Sequence, residues 1–166
     1  SRAPKADALV VFANEGDKVA KFGASARVLD DASGGALMRA ATADAFQGKK
    51  GQMFTLAGPA KIAAKHVVVV GLGKAKETTL RDLEKAALPL VQALNTRKAT
   101  SVSISGFDES DFKDAGSEEA VARFAMALQL SSYRFDKYFT RGGREKKPSL
   151  TTAHLVLGKA AAAKKI

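Results

Sequence analysis

The stretch His66-Val67-Val68-Val69-Val70-Gly71-Leu72-Gly73-Lys74 limits the folds open to this chain more than any other. Four consecutive β-branched residues, with no polar position alternating among them, predict a strand covered on both faces. The two glycines that follow predict a place where the backbone turns tightly or passes close to another segment. Such a strand belongs at the centre of an α/β sheet, so helices are expected on both sides of it.

The rest of the chain divides around that ribbon. Ala8-Leu9-Val10-Val11-Phe12-Ala13 is a short apolar run that predicts a buried first strand within 7–14. From Glu15 to Gln47 the chain is rich in alanine and has helical spacing at Leu37, Ala40 and Ala41, predicting one helix or two, with an entry at Ser33-Gly34-Gly35. Those glycines suit either a phosphate-contacting helix start or a flexible helix entry. Phe46-Gln47-Gly48-Lys49-Lys50-Gly51 is a turn, and a strand over 52–56 follows it, closed by Gly58-Pro59.

Beyond Gly73, Thr79-Leu80-Arg81-Asp82 has the spacing of a capping box, and Leu80, Leu83, Ala87, Leu90, Val91 and Leu94 keep one helical face apolar. Pro89 removes a backbone donor and predicts a kink between Lys85 and Pro89. Val102 and Ile104 alternate with serines in a strand over 99–106, and 108–116 reads as an acidic loop. Ser117, Glu118 and Glu119 predict a capped helix that ends near Ser132, so that 133–138 leaves it and 141–148 forms a basic surface connection. A last strand is expected at 153–157. The sum is a three-layer α/β/α domain around a mixed central sheet, filling 1–158, with 159–166 as the start of a linker.

At 166 residues one domain is expected to bury roughly two thirds of its unfolded surface. No cysteine is present, and no apolar run approaches a membrane span, so a soluble, cytoplasmic chain with no membrane partner is expected. Lysine and arginine outnumber aspartate and glutamate 27 to 17, a formal charge of +10. That excess makes contact with a polyanion such as DNA physically plausible, but cations this dispersed favour a solubilising surface or a face for an acidic partner domain. The candidate phosphate contacts are Lys49 and Lys50, with Lys61 and Lys65 in the same region, and Arg141, Arg144, Lys146 and Lys147 in another. Tyr133 and Tyr138 are candidates for stacking on bases.

Catalytic patterns are incomplete. Gly71-Leu72-Gly73-Lys74 after a buried strand suggests a phosphate loop, yet it has neither a third glycine at dinucleotide spacing nor a Gly-Lys-Ser/Thr ending. His66 and His154 have no second ligand at metal-motif spacing and are expected to be hydrogen-bonded locally. Ser105-Gly106 is not a nucleophile elbow. Asp30-Asp31 and the pair Asp108 and Asp111 read as solvated carboxylates.

Three segments together carry a resemblance: Phe46-Gln47-Gly48-Lys49-Lys50-Gly51, Val67 to Lys74, and Tyr133-Arg134-Phe135-Asp136-Lys137-Tyr138. In that order and spacing the chain resembles the amino-terminal domain of the leucyl aminopeptidases, or cytosol aminopeptidases. The resemblance implies a macro-domain-like fold preceding a separate catalytic domain that binds two divalent metals, zinc or manganese, in a cytoplasmic homohexamer. The family's catalytic signature, Asn-Thr-Asp-Ala-Glu-Gly-Arg, is absent from this sequence. No catalytic, cofactor or metal residue is therefore assigned here, and the chain alone is expected to be inactive. The resemblance also implies a role in hexamer assembly and active-site access, with DNA binding as an alternative and ADP-ribose binding through Gly71 to Lys74 as a weaker one.

Overall fold

The computed structural model describes residues 5–107, 112–114, 116–139 and 149–157, with the backbone alone over 134–139. The expected acidic residues Asp108 and Asp111, the basic connection 141–148 and the tail 158–166 lie outside the described residues.

The elements run β1 (Ala8–Asn14), β2 (Lys21–Phe22), α1 (Ala24–Ala32), α2 (Ala36–Ala43), β3 (Met53–Ala57), β4 (His66–Gly71), α3 (Leu80–Thr96), β5 (Ser101–Ser105), α4 (Ser117–Phe139) and β6 (Thr152–Val156). They build one sheet in the order β3-β4-β1-β5-β6, with β2 added to β1. Neighbours among β4, β1, β5 and β6 are parallel, while β3 runs antiparallel to β4 and β2 antiparallel to β1. The sheet is therefore mixed, as expected. The valine ribbon is β4, an interior strand, although the middle position belongs to β1.

Strand alternation explains why the ribbon has no polar position. Val68 and Val70 join Val10, Phe12, Val102 and Ile104 in a core beneath α3 and α4, and Val67 and Val69 join Val11, Phe46 and Phe54 beneath α1 and α2. Side chains on both faces of a strand covered twice must be apolar, because neither has water to meet. Phe12, Phe107 and Phe124 lock the first core with ring centroids 5.2 to 6.0 Å apart.

The expected capping box is present. The Thr79 side chain accepts from the Asp82 N–H, and Asp82 accepts from the Thr79 N–H. Pro89 does not interrupt α3, which runs unbroken from Leu80 to Thr96. Lys85 and Pro89 are both exposed, so water can take the carbonyl that the missing proline N–H leaves without its helical donor.

Two expectations at α4 need correction. Ser117 is the first helical residue rather than a preceding cap, and the Ala120 N–H donates to the Gly116 carbonyl. The helix also passes Ser132 and carries Tyr133 through Phe139 with it. No glycine or proline stands at 131 or 132 to stop the helix, and a serine lowers helix propensity by only about 0.5 kcal/mol. Ser131 is itself buried, which holds the last turns on the domain.

Candidate functional site

In an open α/β sheet, ligands enter where neighbouring strands send their connections to opposite faces. Here that place lies between the ends of β1 and β4: β1 leads to α1 and α2 on one face, and β4 leads to α3 on the other. The glycines of the central motif stand at this crevice, and the turn 46–51 fills it.

The amides of Gly71, Leu72 and Gly73, the ones in the motif that could cradle a phosphate, already have carbonyl partners. Gly71 N–H donates to Gln52, Leu72 N–H to Ala13 and Gly73 N–H to Gly48, at 2.8 to 2.9 Å. The Gly16 N–H donates to Gln47 and the Glu15 N–H to Gly73. The Gln52 side-chain oxygen accepts from Gln47 and Lys49 N–H groups and rounds the turn. A Cβ on Gly71 would fall 2.4 Å from the Lys49 carbonyl oxygen, and one on Gly48 would fall 2.4 Å from that of Asn14. These glycines are required by backbone packed on backbone.

Lys50 extends this clasp to α3. Its stem lies over Gly73, where an added Cβ would stand 2.6 Å from Lys50 Cγ, and its ammonium meets Asp82 Oδ2 at 2.8 Å. Burial raises the Asp82 carboxyl, but hydrogen bonds from Lys50 and from the Thr79 N–H and hydroxyl outweigh it and hold the group below its usual range. Two of the three segments that carry the resemblance thus meet at one place. Beside them is a cleft of about 300 Å³ with Met53, Val70, Leu72 and Ala86 on its apolar side and Lys50, Asp82 and Lys85 around it. No hydroxyl or imidazole is among its lining residues. It offers apolar surface, an ion pair already closed between Lys50 and Asp82, and the side chain of Lys85.

The other candidates do not converge. Lys50 is committed to Asp82, Lys49 is exposed, and Arg141, Arg144, Lys146 and Lys147 lie outside the described residues. Lys61 and Lys65, read as one region with Lys49 and Lys50, are at the opposite end of the sheet. The β3–β4 hairpin separates them by a strand length, about 17 Å, and Lys65 pairs with Asp7 at 3.0 Å. Tyr133 is exposed on α4.

Asp30 is not merely solvated: its Oδ1 accepts from the Met38 N–H and its carbonyl from the Gly35 N–H, so it holds α1 to the start of α2. That carboxylate occupies the helix start that a phosphate at Gly34-Gly35 would need, and the helix-entry reading is the one that fits.

His66 and His154 lie on β4 and β6, with β1 and β5 between them, roughly 14 Å apart across three strand spacings. His66 Nδ1 is buried without a hydrogen-bond partner. Among the described residues no three His, Cys, Asp or Glu side chains gather as a metal site. The donor set does not fit the two metals that the resemblance implies for the parent.

Sequence reasoning missed Asp7 and Asn95. Asp7 accepts from the Thr100 hydroxyl and N–H and from Lys65, tying the starts of β1, β4 and β5 together. Asn95 Oδ1 accepts from the Ser149 hydroxyl and from the Ser149 and Leu150 N–H groups, fixing the entry to β6. Contacts 54 to 93 residues apart leave no local signal in the sequence.

The family model described as the N-terminal domain of the cytosol aminopeptidase family matches residues 10–141. The chain belongs to the cytosol aminopeptidase family. A probable cytosol aminopeptidase of Caulobacter vibrioides is 38 % identical over 143 residues, which are 86 % of this chain and 27 % of that protein. One from Ralstonia pickettii is 32 % identical over 133 residues, 80 % of this chain and 26 % of that protein. The chain thus spans about a quarter of the length of these relatives.

Among solved structures, a tomato leucine aminopeptidase mutant superposes with a TM-score of 0.69 at 21 % identity, over 91 % of this chain and 29 % of that one. The macrodomain of Mycobacterium tuberculosis DarG gives 0.59 at 15 % identity, over 91 % of this chain and 88 % of that one. At these identities the likeness shows the fold, which is macro-domain-like. Among the described residues no helix is long and apolar enough to cross a membrane.

Proposed function

We propose that this cytosol aminopeptidase domain is the non-catalytic amino-terminal part of a cytoplasmic leucyl aminopeptidase, where it helps to assemble a homohexamer and shapes access to the active site. The observation that carries the reading is unequal coverage: the match takes in most of this chain and 27 % of the Caulobacter relative. The filled crevice supports it, because a domain whose strand-end amides are closed on its own backbone is built as a scaffold. The domain is taken to occupy 1–158, with 159–166 leading toward the catalytic part.

In the parent, the catalytic domain would hold zinc or manganese, and the metals would supply activation of water for peptide hydrolysis. None of that chemistry is assigned to this chain. Neither DNA nor ADP-ribose binding gains a built site from the described residues, and the scaffold reading stands alone.

The test is replacement of the matched portion of the Caulobacter enzyme by this chain. The fusion is expected to form a hexamer by light scattering and to release leucine from peptides, and the catalytic portion alone is expected to assemble differently or to change its KM for long peptides. A catalytic portion that alone forms the same hexamer, with unchanged kinetics on short and long peptides, would count against the role.

A further inference from the structure

Four large apolar side chains are more than half exposed among the described residues, and three of them stand on α4: Met126 at 65 %, Leu130 at 59 % and Tyr133 at 67 %. Their spacing of four and then three residues places them on one side of the helix. The inward side of α4 is already filled by Ala120, Phe124 and Leu128, which meet the sheet core. The exposed stripe is therefore a second apolar face on a helix whose core face is complete. Between α4 and α3, Leu88 adds to Met126 and Leu130 along a groove. An aligned apolar patch of this kind marks a contact surface more often than scattered exposed residues do.

We propose that the stripe formed by Met126, Leu130 and Tyr133, with Leu88, is the face on which the catalytic portion of the parent aminopeptidase docks. This rests on the function proposed above. Two observations select that occupant over a second copy of this chain. Each copy carries a formal charge of +10, so a dimer would press two strongly basic bodies together. A stable dimer also needs roughly 800 Å² from each partner, whereas the stripe consists of three exposed α4 side chains and Leu88. A tethered domain needs less, since the linker supplies an effective concentration in the millimolar range, and contacts between domains of one chain are stable at smaller areas (about 600 Å² in total). The relatives, of which this chain spans 27 % or less in the two proteins named above, carry such a tethered body.

Methionine oxidation by hydrogen peroxide, followed by mass spectrometry, reads the stripe directly, and Met38 on the opposite face of the sheet serves as an internal reference. Met126 is expected to oxidise rapidly in the 166-residue chain and at least about fivefold more slowly in the fusion with the Caulobacter catalytic portion, as a side chain passing into an interface core should. Leu130→Lys should leave the unfolding midpoint of the chain alone unchanged and restore rapid Met126 oxidation in the fusion. A hexameric, active fusion in which Met126 oxidises as fast as in the chain alone overturns the docking face and leaves the proposed function standing. A fusion that neither assembles nor turns over counts against the proposed function and removes the docking face with it. Slow oxidation in the chain alone that quickens on dilution would make a second copy the occupant, and overturns the proposal as well.

Discussion

Gly71 packs closely against the turn that fills the crevice, and its replacement separates packing from conformation. Gly71→Ala drives a methyl to 2.4 Å from the Lys49 carbonyl oxygen and under 3 Å from Gly48, so the turn must move. A loss of about 3 kcal/mol in urea unfolding is expected. Gly51 has φ +83 but no neighbour within 4 Å of an added Cβ. Gly51→Ala should lose only the left-handed backbone penalty, about 1 kcal/mol. A loss at Gly71 no larger than that at Gly51 would show that the 46–51 turn yields to the methyl at little cost and that close packing is not what requires the glycine. Asp7 gives a pH signature. Hydrogen bonds from Thr100, then from Lys65, hold its carboxyl well below the ordinary 3.8, so its stabilisation is present above that value and is lost as pH falls through the depressed folded-state value. Asp7→Asn should lower the unfolding midpoint at neutral pH and flatten the decline below pH 3.8. An unchanged acid limb in that variant would mean that other carboxylates set it.

At the scale of elements, α3 and its two ends are the most informative. Thr79→Ala removes the oxygen that accepts from the Asp82 N–H and is expected to destabilise by about 1 kcal/mol in urea unfolding. Pro89→Ala returns a donor to an exposed turn and should stabilise by roughly 2 kcal/mol after the flexibility gained in the unfolded chain is offset. A destabilised Pro89→Ala protein would mean that the ring itself is needed beside the cleft that it lines. Elements like α3 and β4 were legible because their signals are local: a capping box, an apolar helical face, a run of valines. β2 was not, since two residues carry no periodicity and pair only because β1 extends past the end of β5's pairing. The end of α4 was misplaced for a related reason, because burial of Ser131 is a tertiary fact that serine's modest propensity does not announce.

For the whole molecule, the valine ribbon indicated the layers, and the three motifs indicated the family, before any distance was known. The site was less legible. Glycines before a helix look the same in sequence whether they approach a phosphate or another strand of backbone, and only the bonded amides of Gly71, Leu72 and Gly73 separate the two. Dispersed cations such as Lys50 and Lys65 look like one patch until a hairpin carries them to opposite ends of the sheet. The proposed role makes this body a scaffold, with Gly71 to Gly73 closed on neighbouring backbone and the chemistry held elsewhere in the parent. Leucine-p-nitroanilide turnover by the purified 166-residue chain, with manganese or zinc added, addresses it most directly. No release of p-nitroaniline above the metal-only blank is expected, whereas turnover that follows the protein through purification would contradict the claim.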